Sequence, residues 1–214
     1  MPTKKTNTNM VIQPGKLMEA MEAVHEKLSK GIHPLKRKEP AFKDDYFLLL
    51  TAMAGADNDI DPREIKFLKY IASSLGIAQI DFFLTLCAKL SASRLETAIR
   101  SVKKEAAAPY LILDALILAS SDGPIKEHES QFLGLLADCI EISYQEVVEL
   151  IKLASAIISK SPLKLKEYSK GTQPIKPSSI HSLYLKQIIG SDSQISEHIA
   201  ITKTKSKPKK SVRK

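Results

Sequence analysis

Apolar residues recur every three or four positions from about residue 42 to residue 159, and stretches with β-type alternation are rare. This periodicity predicts an all-α fold, a compact bundle of about seven helices. The segments "DYFLLLTAMAGA" and "PYLILDALILAS" are apolar on nearly every side, which predicts the two central helices. The predicted helices cover residues 42–56, 62–75, 79–90, 92–104, 107–121, 126–141 and 144–159.

The two ends of the chain differ from this middle part. Residues 1–40 are polar and basic, and their pattern predicts one short amphipathic helix, at residues 17–30. Residues 160–214 begin with a segment rich in Pro, Gly, Ser and Lys, which predicts a linker. A weak helix is predicted near residues 180–190, and a disordered basic tail at the end. The pattern therefore predicts one helical domain, residues 41–159, between two basic ends.

The same motif occurs twice within this domain, at positions 65 residues apart. The stretch "AGADNDIDPREIKFL", which starts at Ala54, aligns without a gap on "ASSDGPIKEHESQFL", which starts at Ala119. Internal repetition of this kind indicates duplicated units that pack on one another. We therefore expect two helix-turn-helix repeats, residues 42–90 and 107–159, related by a pseudo-twofold axis. The alignment pairs Asp57 with Asp122, Ile60 with Ile125, Glu64 with Glu129, and Phe67 with Phe132.

An apolar helix ending in Ala, followed by Asp-Gly-x-Ile-x-x-x-Glu and an amphipathic helix, resembles the TerB-like family of helical domains associated with tellurite resistance. The resemblance covers residues 42–159, and the second copy is the closer match, since the first has Asn58 where Gly is usual. It implies a non-enzymatic module for protein partners in a stress-response or tellurite-resistance system, at the inner membrane surface. It also implies an acidic surface that binds a divalent cation such as Ca²⁺ or Mg²⁺, carried here by Asp57, Glu64, Asp122 and Glu129.

Helix capping accounts for the same acidic residues without any metal. Asp61, Pro62 and Glu64 stand at the N-cap, first and third positions expected of a helix start. In the second copy Gly123 suits a left-handed turn, Ile125 would fill the angle between the helices, and Glu129 is again the third-position acid. The capping and metal-binding interpretations both stay open at this point.

Calcium loops of the EF-hand type do not fit this pattern. Pro62 stands where that loop needs Gly, and Leu68 where it needs a bidentate Glu. Asp59, Asp61 and Glu127 could add oxygen ligands to a site of another type.

Charge divides unevenly along the chain. Residues 41–159 carry 11 basic and 17 acidic residues, which is −6, whereas residues 160–214 carry 13 basic and 3 acidic residues, which is +10. Residues 1–40 carry 8 and 4, which is +4. The basic tail therefore predicts contact with nucleic acid or an anionic membrane as the alternative function. The predicted contact residues are Lys203, Lys205, Lys207, Lys209, Lys210, Arg213 and Lys214.

Catalytic motifs are missing from the sequence. No phosphate-binding loop, Cys-x-x-Cys motif or His-Glu-x-x-His motif is present, so the sequence offers no candidate catalytic residue.

Cys87 and Cys139 lie in apolar runs, which predicts small core residues. Asp114 interrupts the most apolar helix and needs a polar partner there. Because apolar runs stop short of ~20 residues, we predict a cytoplasmic protein. The missing catalytic motifs predict a protein that is not an enzyme.

Overall fold

The described part of the chain is helical throughout. The computed structural model describes residues 33–56, 60–87, 89–176 and Tyr184. Within these residues the chain forms a 3₁₀ helix and eight α-helices, which confirms the predicted all-α class. The 3₁₀ helix is Pro34–Arg37, and the α-helices are α1 Pro40–Ala54, α2 Pro62–Leu75, α3 Ile80–Cys87, α4 Ala92–Lys104, α5 Ala108–Ala119, α6 Glu127–Cys139, α7 Tyr144–Ile158 and α8 Pro162–Tyr168.

Local sequence explains where these helices begin and end. Ser91 and Ser143 precede α4 and α7, and each side-chain hydroxyl accepts a hydrogen bond from a backbone N–H of the first turn. Helix α2 ends at Gly76, whose φ of 81° lies in the left-handed region that favours glycine. The predicted helices match α1–α7 in order. The bounds of α2 and α4 agree at both ends, and the other bounds differ by at most three residues.

Helices α1 and α5 form the centre of the bundle. Helix α1 contacts α2, α3, α4, α5 and α6, and α5 contacts α1, α2, α4, α6 and α7. Nine consecutive residues of α5, from Leu111 to Ala119, are buried. The two all-round apolar segments are therefore the central helices, as their sequence predicts.

The core also includes chain on both sides of residues 41–159. Leu35 of the 3₁₀ helix is buried, and α8 packs on α7 and buries Leu165 and Tyr168. Part of the linker predicted after residue 159 is therefore a helix. The side chains of Ile175 and Tyr184 also join the core. Isolated apolar residues in a polar stretch carry too little periodicity to reveal such contacts.

Several predicted features lie outside the described residues. They are the helix at residues 17–30, the basic tail from residue 203, and the helix near residues 180–190 apart from Tyr184, which is helical. In the described part of the chain, none of the helices has the length and apolar character that crossing a bilayer requires.

Candidate functional site

The first acidic loop ends in a complete helix cap. Asp61 precedes α2, and its Oδ1 accepts a hydrogen bond from the backbone N–H of Arg63 at 2.8 Å. The Oε2 atom of Glu64 accepts one from the backbone N–H of Asp61, also at 2.8 Å. These two bonds satisfy backbone donors that the first turn of a helix leaves free. The capping role predicted for both carboxylates is confirmed.

The second loop repeats half of this arrangement. Oε2 of Glu129 accepts a hydrogen bond from the backbone N–H of Lys126 at 2.7 Å. Lys126 stands where the first loop has Asp61, and its Nζ lies 3.2 Å from Oδ2 of Asp122. Gly123 has a φ of +153°, where L side chains are strained. Ile125, which was predicted to fill the angle between the helices, is 37 % exposed.

The two loops lie close enough to influence one another electrostatically. Glu64 and Glu129 are only 1 % and 2 % exposed. Burial, together with the negative charges of Glu129 and Asp122, raises the pKa of Glu64 from 4.5 to about 7, against the opposing effects of the Asp61 N–H and Lys126. The structure thus brings together three of the four predicted ligands. The fourth, Asp57, lies outside the described residues, as does Asp59.

Buried oxygen atoms at this junction lack hydrogen-bond partners within the described part of the chain. They are Oε1 of Glu64, Oδ1 of Asp122 and Oγ of Ser121. A buried polar atom without a partner is costly, so such atoms commonly contact water or an ion. No group of three His, Cys, Asp or Glu side chains among the described residues has a geometry that could hold a metal. The junction therefore contains buried carboxylate oxygens without a hydrogen-bond partner in the described part of the chain, beside the ion pair of Lys126 and Asp122.

Asp114 has the polar contacts that its position in α5 requires. Its Oδ2 lies 3.0 Å from Nε2 of His33 and accepts a hydrogen bond from the Tyr46 hydroxyl at 2.7 Å. Its Oδ1 accepts one from the Tyr184 hydroxyl at 3.1 Å. Nδ1 of His33 accepts a hydrogen bond from the backbone N–H of Leu35, so Nε2 carries the proton and donates to Asp114. The predicted polar contact is confirmed, and its partners are residues distant in sequence.

This Asp114 cluster (His33, Tyr46, Asp114 and Tyr184) is closed to solvent. Each of the four residues is no more than 1 % exposed. Burial, followed by the charge of Asp114, raises the pKa of both tyrosines well above 10. A substrate has no access to these groups, so the cluster's evident role is to hold three parts of the chain together.

An apolar groove that was not predicted from the sequence lies along α5, between α6 and α7. Its volume is ≈ 730 Å³. The floor is formed by α5 with Ile112 and Leu116, one wall by α6 with Leu133 and Gly134, and the other wall by α7, including Ile151. Gly134 lies inside α6, where glycine destabilises a helix by roughly 0.5–1 kcal/mol relative to alanine. That glycine is the sequence signal that could have located the groove.

Large apolar side chains are exposed in and beside this groove. Tyr144 and Ile151, which line it, are 85 % and 49 % exposed, and Ile158 at its end is 45 % exposed. Leu135 of α6 is 67 % exposed. Three of these exposed side chains, Tyr144, Ile151 and Ile158, therefore lie along the one groove.

The two cysteines differ in their surroundings. Cys87 is half-buried, and its Sγ lies 3.2 Å from the carbonyl oxygen of Thr51, whereas Cys139 is exposed. The core position predicted for Cys139 is therefore wrong, because the outer face of α6 carries it. Both thiols are free. The tail residues Lys203, Lys205, Lys207, Lys209, Lys210, Arg213 and Lys214 lie outside the described residues.

Comparison of the chain with protein-family models, with curated proteins and with solved structures finds no match.

Proposed function

We propose that this chain is a TerB-like, non-enzymatic helical module that binds protein partners in a stress-response or tellurite-resistance system. Its two helix-turn-helix repeats would be related by a pseudo-twofold axis. The supporting observation for partner binding is the apolar groove between α6 and α7. The proposed location is the cytoplasm, at the inner membrane surface.

The groove supports this proposal because leaving it in water is unfavourable. Burying apolar surface contributes roughly 25 cal/mol per Å², so a protein that covered Tyr144 and Ile151 would gain binding energy from them. Aromatic and aliphatic side chains in such positions are typical anchors of protein interfaces. The groove is lined mainly by apolar residues, with a few serines and Asp138, and offers few groups for chemistry.

Affinity capture from the source cell tests the proposal. The full chain, Ile151→Glu and Phe82→Glu would each be used as bait after nuclease treatment. Phe82 is a matched control, because it is 57 % exposed and lies on α3, away from the groove. We expect proteins retained by the native chain and by Phe82→Glu to be lost with Ile151→Glu. Equal retention by all three baits would contradict binding through the groove.

Cation binding at the junction of the acidic loops is a second candidate function. The unpartnered oxygens of Glu64 and Asp122 favour it, since hard divalent cations take oxygen ligands. These residues and Glu129 would hold the ion, together with the predicted ligand Asp57. The cation would screen repulsion between carboxylates that the fold brings together.

Thermal unfolding of the full chain tests this second candidate. We expect Ca²⁺, Mg²⁺ or Mn²⁺ to raise the melting temperature and a chelator to reverse the effect. Asp122→Asn should abolish the increase, whereas Glu96→Gln, which changes an exposed acid of α4, should keep it. An unchanged melting temperature with all three ions would rule out the site.

The basic tail supports an alternative function, binding to nucleic acid or to an anionic membrane. The charge of +10 over residues 160–214 favours it. Affinity for DNA or for anionic vesicles should then fall steeply with salt, because bound phosphates release counterions. Vesicles and DNA compared at equal salt distinguish the two partners, and affinity that does not change with salt would exclude both.

A further inference from the structure

We propose that the groove between α6 and α7 receives an amphipathic α-helix of a partner protein, with basic residues along the flanks of its apolar face. This inference rests on the proposed partner-binding function and names the class of partner. Three observations support it: the glycine in α6, the arrangement of the helices and the distribution of charge.

Gly134 is the first observation. A Cβ atom added at this position would meet no heavy atom within 4 Å, so packing inside this chain does not require glycine. The residue lies in the middle of α6, where its backbone is helical and any L residue fits. Glycine there lowers helix stability and leaves the backbone open to close approach from outside. Close approach by a second backbone is the use that explains its presence in the groove wall.

The arrangement of α5, α6 and α7 is the second observation. Both α6 and α7 pack on α5 and make fewer contacts with each other than with it. They form two walls over a floor that includes Ile112 and Leu116. Helix α7 has 15 residues, about 22 Å of helix, which matches three to four turns of a bound helix. An amphipathic helix presents apolar residues at the spacing i, i+3, i+4, i+7 and can fill such a groove along its length.

The acidic residues near the groove are the third observation, and they favour a partner with basic residues. Between residues 127 and 158 the chain has six acidic residues and one Lys. Glu129 is buried and Glu141 pairs with Lys103 at 2.6 Å, which leaves four acids and one Lys, a net charge of −3. Asp138 is the one charged residue among those that line the groove, and Glu127 lies seven positions before Gly134, on the same face of α6. Lys or Arg on the flanks of the bound helix would face these acids, which favours association and its rate.

The same charges disfavour a second copy of this chain as the occupant. Two such surfaces would place Asp138 and Glu127 opposite acidic residues of the same kind, and like charges at an interface are unfavourable. A foreign helix with basic flanks has no such repulsion.

Selection from a peptide library tests the inference. The library would contain helical peptides of about 16 residues, ~24 Å long, with apolar residues fixed at one face and random flanking residues. It would be selected against the full native chain. We expect enrichment of Lys and Arg at the flanks, and affinity that decreases as salt increases. Asp138→Lys should weaken binding of the enriched peptides by about tenfold, and more at low salt.

Gly134→Leu supplies the decisive variant. Leucine fits the open space at this position and favours the helix, so the melting temperature should not fall below that of the native chain. Its side chain would occupy the groove, so binding of the enriched peptides should decrease at least tenfold. Gly134→Ala, with a smaller side chain, should give an intermediate decrease.

Other results would overturn the inference in distinguishable ways. Enriched peptides with acidic flanks that still lose binding with Gly134→Leu would refute the basic partner and leave groove-mediated binding intact. Peptides that bind Gly134→Leu and the native chain equally, or no enrichment at all, would refute the helix in the groove. If retention in the capture experiment is also unchanged by Ile151→Glu, the proposed function fails as well. A dimer of the native chain that Gly134→Leu converts to a monomer would identify a second copy as the occupant.

Discussion

Nε2 of His33 lies 3.0 Å from Oδ2 of Asp114, although 81 positions separate the two residues in the sequence. The Tyr184 hydroxyl donates to the other oxygen of the same carboxylate from 70 positions further along. Chain before α1 and chain after α8 are therefore joined through one side chain in the middle of α5. Asp114 is therefore the buried residue that links these parts of the chain by hydrogen bonds.

Tyr184→Phe should destabilise the fold by about 1.5–3 kcal/mol. The substitution removes a hydrogen bond to a buried carboxylate, and hydrogen bonds to charged groups contribute more than neutral ones. Urea denaturation of the full chain measures the change. Tyr144→Phe is the matched control, because Tyr144 is 85 % exposed, and it should leave stability unchanged. Equal stability of Tyr184→Phe and the native chain would refute the proposed role of the cluster.

Alkaline pH should weaken the fold through Tyr46 and Tyr184. Burial and Asp114 raise the pKa of both hydroxyls above 10, the value expected in the unfolded chain. The unfolded chain therefore loses these protons first, and stability falls as pH rises above 10. The slope should be about 1.4 kcal/mol per pH unit for each tyrosine. Denaturation midpoints between pH 8 and 11 measure it, and Tyr46→Phe should show a smaller slope.

Glu64→Gln should increase the free energy of unfolding at pH 8 and have a smaller effect at pH 5. The folded-state pKa of Glu64 is about 7 and its ordinary value is 4.5, so the native chain loses stability from this group as pH rises through that interval. Glutamine keeps an oxygen for the Asp61 N–H and cannot ionise. We expect a gain of about 1 kcal/mol at pH 8, since the Asp61 N–H and Lys126 offset part of the repulsion.

Glu146→Gln provides the opposite control. The Ser143 hydroxyl and backbone N–H donate to Glu146 and lower its pKa, so ionisation of this residue stabilises the fold as pH rises. Its replacement should therefore cost more stability at pH 8 than at pH 4. Parallel pH profiles for the two variants would show that the acidic loops do not influence each other as described.

Ala106→Gly should raise stability by about 0.5–1 kcal/mol. Ala106 has a φ of 51°, in the left-handed region that costs an L residue about 1–2 kcal/mol, and part of the gain is offset by the greater freedom of glycine in the unfolded chain. Gly76→Ala should have the opposite effect at a φ of 81°, because no atom within 4 Å complicates the comparison. Thermal unfolding measures both, and a stabilising Gly76→Ala would contradict the backbone argument.

Sequence alone predicts most of the helical frame because its signals are local. The cap at Asp61 and the apolar periodicity of α1 and α5 depend on residues within a few positions of one another. The contacts of Asp114 could not be predicted, because His33 and Tyr184 lie far away in the sequence and nothing local marks them. The predicted acids Glu64 and Glu129 do meet, but their burial depends on how two helix starts are placed in space.

The groove could not be predicted from the sequence either. Ile125 and Leu133 are ordinary apolar residues of a predicted helix pair, and no pattern distinguishes a side chain that enters the core from one that remains accessible. Gly134 interrupts the pattern of helix α6. Glycine inside a helix has several explanations until the space around it is known.

The long sequence separations within the Asp114 cluster also bear on folding kinetics. Joining residues 81 and 70 positions apart requires the closure of large loops, whose entropic cost must be met before the hydrogen bonds form. We expect the cluster to form after the rate-limiting step, so that Tyr184→Phe accelerates unfolding and leaves the refolding rate almost unchanged. Asp114 would then govern the lifetime of the folded state more than the speed with which it is reached.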